Sequence, residues 1–307
     1  MDSLLLFVIL VFVSANSVST ELYRYQDSNG RWVFGDKKSL GGKKSAKDKA
    51  EIITIDDELI KKVRPELVSV SANKRSEVKY KLTNPLPVSI QHWLAVKGQK
   101  GFFTSLLAKP HQELKLNLAD YGFRQKNLPI EHFYLLGEPM DKPAVQIIPL
   151  PYSTQKRFRV SQGFNGRYSH SGRGNRYALD IAMPIGESIL AVKSGVVADA
   201  ADNFSIGGAA NYFLDKANHI TVMHDDGSYA IYAHILYGSL DVQIGDTVQQ
   251  GQVIARVGNT GFSTGPHLHF VMRYNSGQGA YSIPFKFQTA AGIKLPKQGN
   301  YYLGEEK

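Results

Sequence analysis

Gly265-Pro266-His267-Leu268-His269-Phe270 is the stretch around which the chain is organised. If it forms a β-strand, alternation puts His267 and His269 on one face, about 7 Å apart at ~3.3 Å per residue. One imidazole can then bind a metal while the other faces the water that a hydrolytic metal carries. A metal site needs more than two residues. The upstream chain offers them in Ser169-His170, Arg176-Tyr177-Ala178-Leu179-Asp180 and Tyr232-Ala233-His234.

The composition narrows the chemistry. With no cysteine, disulfides, a cysteine nucleophile and thiolate metal sites are excluded, so any metal is held by nitrogen and oxygen. The 307 residues suffice for two or three domains, and 43% hydrophobic and 21% charged residues are ordinary for a globular protein. A formal net charge of +9 suits an anionic partner, either nucleic acid or an acidic polymer outside the cytoplasm. The N-terminus favours the polymer. Residues 4–13 are an unbroken apolar run followed by Ser14-Ala15-Asn16-Ser17-Val18-Ser19, which reads as a signal peptide at residues 1–19. The run is too short to cross about 30 Å of hydrocarbon, so no stable membrane insertion is expected after the signal is removed. Asp2 stands where such signals usually carry a basic residue. Export to the periplasm or envelope of a bacterium follows as the expectation. Nucleic acid is disfavoured, because no recognisable nucleic-acid module accompanies the charge.

Beyond the signal, residues 20–64 read as a hairpin module and a linker. The hairpin is Leu22-Tyr23-Arg24-Tyr25-Gln26 and Arg31-Trp32-Val33-Phe34-Gly35 around an Asn29-Gly30 turn, and the linker is a lysine-rich run from Lys37 to Lys49. Residues 65–150 carry short β-rich runs separated by turn residues, the pattern of a small antiparallel sandwich. His92, His111 and His132 fall there without carboxylates at ligand spacing, so a structural or exposed role is expected for them. Leu150-Pro151-Tyr152 reads as a boundary, and residues 151–307 as an all-β module of successive hairpins. In it Ile189-Leu190-Ala191-Val192 is expected to pair with Gly195-Val196-Val197. The run from His219 to His224 is expected to pair with Tyr229-Ala230-Ile231-Tyr232 across Asp225-Asp226-Gly227.

The ordered motifs of residues 160–275 resemble the LytM/lysostaphin-type zinc metallopeptidases. They are Ser169-His170, Asn175-Arg176-Tyr177-Ala178-Leu179-Asp180, Met183-Pro184-Ile185-Gly186, Ser194-Gly195-Val196-Val197, Tyr232-Ala233-His234, Val248-Gln249-Gln250-Gly251-Gln252-Val253-Ile254 and the His267-Leu268-His269 stretch. The resemblance implies a two-sheet β-roll with a groove and peptidoglycan peptides as substrate. It also implies one zinc per chain on His170, Asp180 and His269. By the same resemblance His267 and His234 stand beside the catalytic water, His267 as general base and His234 as its orienting or oxyanion-stabilising partner, with the two roles interchangeable. Three protein donors and an open position are what a hydrolytic zinc requires.

Two departures stand out. Many members of that family place the first histidine four residues before the aspartate, whereas Gly172, Arg173 and Gly174 lie in a longer interval here, and Val271 stands where a glutamate is frequent. The alternative reading is a catalytically silent relative that binds wall or activates another hydrolase, although such relatives typically lack ligands that this chain keeps. Gly261-Phe262-Ser263-Thr264-Gly265 matches the pattern of a serine nucleophile elbow, but Pro266 and a strand-like run follow where that elbow needs a helix.

Overall fold

The computed structural model describes residues 22–26, 32–35, 51–53, 64–72, 78–124, 128–153 and 155–304. The signal-like run and the lysine-rich run therefore lie outside the described residues. Apart from 3-10 turns at Leu118–Tyr121 and Asn211–Phe213, every regular element among the described residues is a strand. No helix there is long and apolar enough to cross a membrane.

The hairpin expected near the N-terminus is formed by Leu22–Gln26 and Trp32–Gly35, antiparallel with Gln26 opposite Trp32, and Glu51–Ile53 adds a third strand. Next come two three-stranded antiparallel sheets. One contains Glu66–Ala72, Val78–Thr83 and Glu113–Asn117, and the other contains Thr104–Ala108, Ile90–Val96 and Ile130–Leu136. Leu82 and Leu116 from the first share a buried cluster with Leu94 from the second, so the two sheets pack face to face. Thr104–Ala108 has no counterpart among the expected strands.

The C-terminal part is built on a nine-stranded sheet. Its main path runs Thr247–Val248, Gly195–Ala201, His219–Met223, Tyr229–Ala233, Leu268–Asn275, Leu179–Ala182, Arg157–Gln162 and Tyr301–Leu303, and Ala280–Ser282 pairs with Leu268–Asn275. Alternation gives its strands one core face: Leu268, Phe270, Met272 and Tyr274 all join the main buried cluster. Against that face pack Ile189, Ile254 and Ala255 of one small sheet and Ile148, Phe285 and Phe287 of another.

The pairing of His219–Met223 with Tyr229–Ala233 is as expected. The pairing of Ile189-Leu190-Ala191-Val192 with Gly195-Val196-Val197 is not. Ser188–Leu190 pairs with Val253–Arg256 in the second layer, while Gly195–Ala201 lies between Thr247–Val248 and His219–Met223. Ala191 and Val192 are both fully buried, so the chain there turns a corner between layers instead of reversing within one. Gly195 makes this fit, because a Cβ at that position would stand 2.1 Å from Met223 O. The chain enters these layers before Leu150: Gln146–Ile148 pairs parallel with Phe285–Thr289, and Tyr152 donates from its hydroxyl to Tyr302 O at 2.9 Å.

The first sandwich meets the large sheet at one end. Ile90 and Ala108 pack with Ala198, Val196 and Met223, and Asn275 Nδ2 donates to Gln91 Oε1 and Gly137 O at 3.0 and 2.9 Å. His92 and His132, expected to be structural or exposed, form a stacked pair inside this sandwich with His92 Nδ1 2.7 Å from His132 Nε2. Burial lowers both pKa values, to about 3 for His92, which His132 also opposes, and to about 4 for His132. Both rings titrate near 6.5 once unfolded. Between pH 6.5 and about 4 the unfolded chain therefore binds more protons, and stability falls as pH drops through that window. Urea unfolding at stepped pH should show this fall, with a shallower slope in a His92→Phe/His132→Phe double variant. An unchanged slope would remove the pair from the account.

Candidate active site

Three neighbouring strands of the large sheet bring the site together. In register, Asp180 of Leu179–Ala182 and Ala233 of Tyr229–Ala233 both lie opposite His269, on either side of it. Directly opposite residues on adjacent strands have Cβ atoms about 4.5–5.5 Å apart, close enough for side chains to meet. His234 follows Ala233 directly and leaves the strand in a left-handed conformation, φ 64°. Such a conformation in a non-glycine residue costs on the order of 1–3 kcal/mol and persists only where surrounding contacts fix it. Here Gly258 N donates to His234 O at 2.9 Å, and His234 Nδ1 donates to Thr260 O at 2.6 Å. His170 comes from the loop between Arg157–Gln162 and Leu179–Ala182, where its N–H bonds to Gly166 O at 2.9 Å.

Hydrogen bonds from the other ring nitrogen fix most of the tautomers. His170 Nδ1 donates to Gly163 O at 3.0 Å, and His267 Nδ1 to Gly265 O at 2.8 Å. With His234 tied to Thr260, three neutral rings are left with an Nε2 lone pair. Asp180 Oδ1 then faces His170 Nε2 at 3.2 Å, His269 Nδ1 at 2.8 Å and His267 Nε2 at 3.7 Å. Every described ion-pair partner of this carboxylate is a histidine. Of the ring nitrogens facing Oδ1 only His269 Nδ1 has no carbonyl taking its proton, so a buried carboxylate ringed largely by acceptors is a ready partner for a cation. Burial alone raises the Asp180 pKa, but hydrogen bonds with His170 and His269 and the charges of His269 and His267 outweigh it and hold the carboxyl well below the usual range. Burial lowers the pKa of His269, against the pull of Asp180, and lowers that of His234 to about 3, helped by its histidine neighbours.

His170, Asp180 and His269 each offer one donor atom, all within 4.8 Å of one another. Two nitrogens and one oxygen suit a divalent metal of the zinc type. His267 and His234 stand next to this cluster with ring centres 4.5 Å apart, and His234 lies 6.0 Å from His269. The five residues singled out in the sequence thus meet in one place.

One neighbour had no signal in the sequence. A register shift between Val160 and Gln162 sets Gln162 opposite Asp180. Its Nε2 donates to Asp180 Oδ2 at 2.8 Å and to Ser169 Oγ at 2.7 Å, while its Oε1 accepts from Tyr168 N at 3.2 Å. Gln162 thereby occupies one carboxylate oxygen and leaves Oδ1 to the histidines. A bulge does not show in residue types, so nothing in the chain marked this glutamine.

Other candidates fall away. Ser263 is 4% exposed, and its hydroxyl is shared between Asn259 Oδ1 at 2.7 Å and Gly265 O at 3.0 Å, with His267 Nδ1 at 3.3 Å. No helix follows it, so it is not a nucleophile elbow. Gly261 serves the backbone: its φ is +74° and a Cβ would stand 2.5 Å from Ala217 Cα. His219 bonds to Asp199 and Ala217, and His224 bonds to Ser194 O.

Residues 174–280 match Peptidase family M23. That span includes Asp180, His234, His267 and His269, and begins after His170. Over 121 residues the chain is 34% identical to the glycyl-glycine endopeptidase ALE-1 of Staphylococcus capitis, covering 39% of this chain and 30% of that protein. It is 33% identical over 120 residues to the peptidoglycan DD-endopeptidase ShyC of Vibrio cholerae, covering 38% and 25%. The chain thus spans less than a third of the length of either relative. Among solved structures, the catalytic domain of lysostaphin from Staphylococcus simulans is 30% identical, covering 42% of this chain and 88% of that one, with a TM-score of 0.30.

If Gln162 orients the carboxylate, Gln162→Leu should weaken divalent-metal uptake by about 10–100-fold, the usual effect of losing such a partner. Competition against a chromophoric chelator reads this, with near-ultraviolet circular dichroism as a check on folding. Unchanged affinity would show that Asp180 is held without it.

Proposed function

We propose that this chain, which carries a peptidase domain of the M23 (LytM/lysostaphin) family, is a zinc-dependent endopeptidase that hydrolyses peptide cross-links of bacterial peptidoglycan. The observation behind this reading is the buried Asp180 carboxylate, whose Oδ1 has three imidazole nitrogens around it and no cationic Lys or Arg side chain paired to it among the described residues. The relatives, named for glycyl-glycine and peptidoglycan endopeptidase activity, support an amide of the wall as the target. In this reading His170, Asp180 and His269 hold the zinc. When bound, the ion polarises the amide carbonyl and lowers the pKa of water toward about 7.

The chain's own residues do the rest. His267 Nε2 faces the cluster with its Nδ1 proton committed to Gly265 O, so Nε2 is free to accept a proton from the attacking water. When the C–N bond breaks, the same nitrogen returns a proton to the leaving amine. His234 is held neutral by burial, its pKa at about 3, and its Nδ1 proton is tied to Thr260 O. It therefore accepts a hydrogen bond and orients the nucleophile without keeping the proton, which assigns proton transfer to His267. Gln162 holds Asp180 while charge builds up on the substrate.

Residues 1–19 act in this account as an export signal, and the polypeptide works in the envelope, where its net charge of +9 favours an anionic wall. The segment 65–150 positions substrate for the catalytic segment, residues 151–307, or covers its groove.

Purified full-length protein should release peptide fragments from sacculi, lose that activity with a chelator and regain it with zinc. Asp180→Ala and His269→Ala should abolish both zinc uptake and release; full activity in either would refute the reading. His267→Ala should keep its zinc but lose about 10²–10⁴-fold in kcat, the contribution of a general base. Zinc bound at one per chain with no fragment released from any sacculus would instead favour the catalytically silent relative. The acid limb of the kcat profile should stay in place in His234→Gln, since burial holds that ring's pKa well below the usual imidazole range; a moved limb would reverse the roles of the two histidines.

A further inference from the structure

Leu268–Asn275 carries a second polar side chain that the chemistry above leaves unused. Alternation puts Arg273 on the same face of the strand as His269. Burial strips water from its guanidinium and lowers its pKa, and no carboxylate pairs with it among the described residues. Its Nε donates to Gly174 O at 2.6 Å, and its Nη2 donates to Asn175 Oδ1. Desolvating a cation against two neutral oxygens is unfavourable as a stabilising device. The planar fork of arginine is suited to fixing a geometry.

Both acceptors lie in the loop that carries His170. Directly across the strand pair, Ser282 is the register partner of Arg273. Ser282 holds the same loop: its N and Oγ both donate to Arg173 O at 2.9 Å, and its Oγ accepts from Tyr177 N at 3.2 Å. Two opposed residues on one strand pair thus grip segment 173–177. The same strand delivers His269 to the site. His170 and Asp180 are ten positions apart, so the free length between them must be fixed by something other than a short turn.

We propose that Arg273 and Ser282 form a positioning clamp that fixes segment 173–177 and so brings His170 into register with Asp180 and His269. The consequence for catalysis rests on the zinc-peptidase reading above; the fixing of the loop does not.

Two readouts keep these apart, on full-length protein carrying Arg273→Met, Arg273→Lys or Ser282→Ala. The first is metal-free: trypsin cleavage after Arg173 and Arg176, both exposed in this loop. Arg273→Met should speed it at least ten-fold with the melting temperature of the metal-free protein nearly unchanged. The second is zinc affinity by chelator competition, which should weaken about 10–100-fold in Arg273→Met. Lysine should recover only part of this, since it lacks the fork, and kcat should return to within a few-fold of wild type at saturating zinc. If Arg273→Met does not fold, Ser282→Ala carries the test with smaller shifts in the same direction. Unchanged cleavage in the folded variants, or a drop in melting temperature with unchanged zinc affinity, would overturn the clamp. Faster cleavage in a protein whose wild type binds no zinc would support the clamp and sink the peptidase reading instead.

Discussion

The site depends on one electrostatic constraint: a carboxylate withdrawn from water and faced by ring nitrogens instead of by a lysine or arginine. Asp180 sits between two strands of a sheet whose opposite face is the apolar core, so it cannot turn to solvent without breaking the register with His269. Backbone carbonyls at Gly163, Thr260 and Gly265 take the Nδ1 protons of His170, His234 and His267, which turns their other nitrogens into acceptors. A concentration of acceptors in a buried place is unfavourable in isolation and becomes favourable around a divalent cation.

The Leu268–Asn275 strand shows how a two-residue period distributes work. One face, Leu268, Phe270, Met272 and Tyr274, fills the core. The other face carries His269 for the site, Val271, which is fully buried, Arg273 toward the His170 loop and Asn275 toward the preceding sandwich. The contacts with that sandwich gather around Met223 and Asn275, four to six residues along the strands from Ala233 and His269 in the paired register. The preceding sandwich is therefore anchored at the end of the sheet away from the site.

Much of this was legible in the chain. Alternating histidines, an aspartate within an apolar run and a turn at Asp225-Asp226-Gly227 are local signals, and local signals survive folding. The ligand candidates and the hairpin that supports His234 could be read from them. What could not be read depends on partners distant in sequence. The second-layer pairing of Ser188–Leu190 with Val253–Arg256 is set by where the chain turns a corner, and a hairpin pattern gives no hint of that. Gln162 reaches Asp180 only through a register shift, and Arg273 looks like a surface residue until the loop closes over it. His92 and His132 were legible as structural candidates, though not as a pair.

We propose a single zinc held by His170, Asp180 and His269 with one side open to solvent. Anomalous diffraction from crystals of the zinc-loaded full-length protein tests it most directly. One strong zinc peak is expected, contacted by His170 Nε2, Asp180 Oδ1 and His269 Nδ1, with His267 and His234 beside it but not bound to it. A peak elsewhere, or a fourth protein atom closing the coordination, would contradict it.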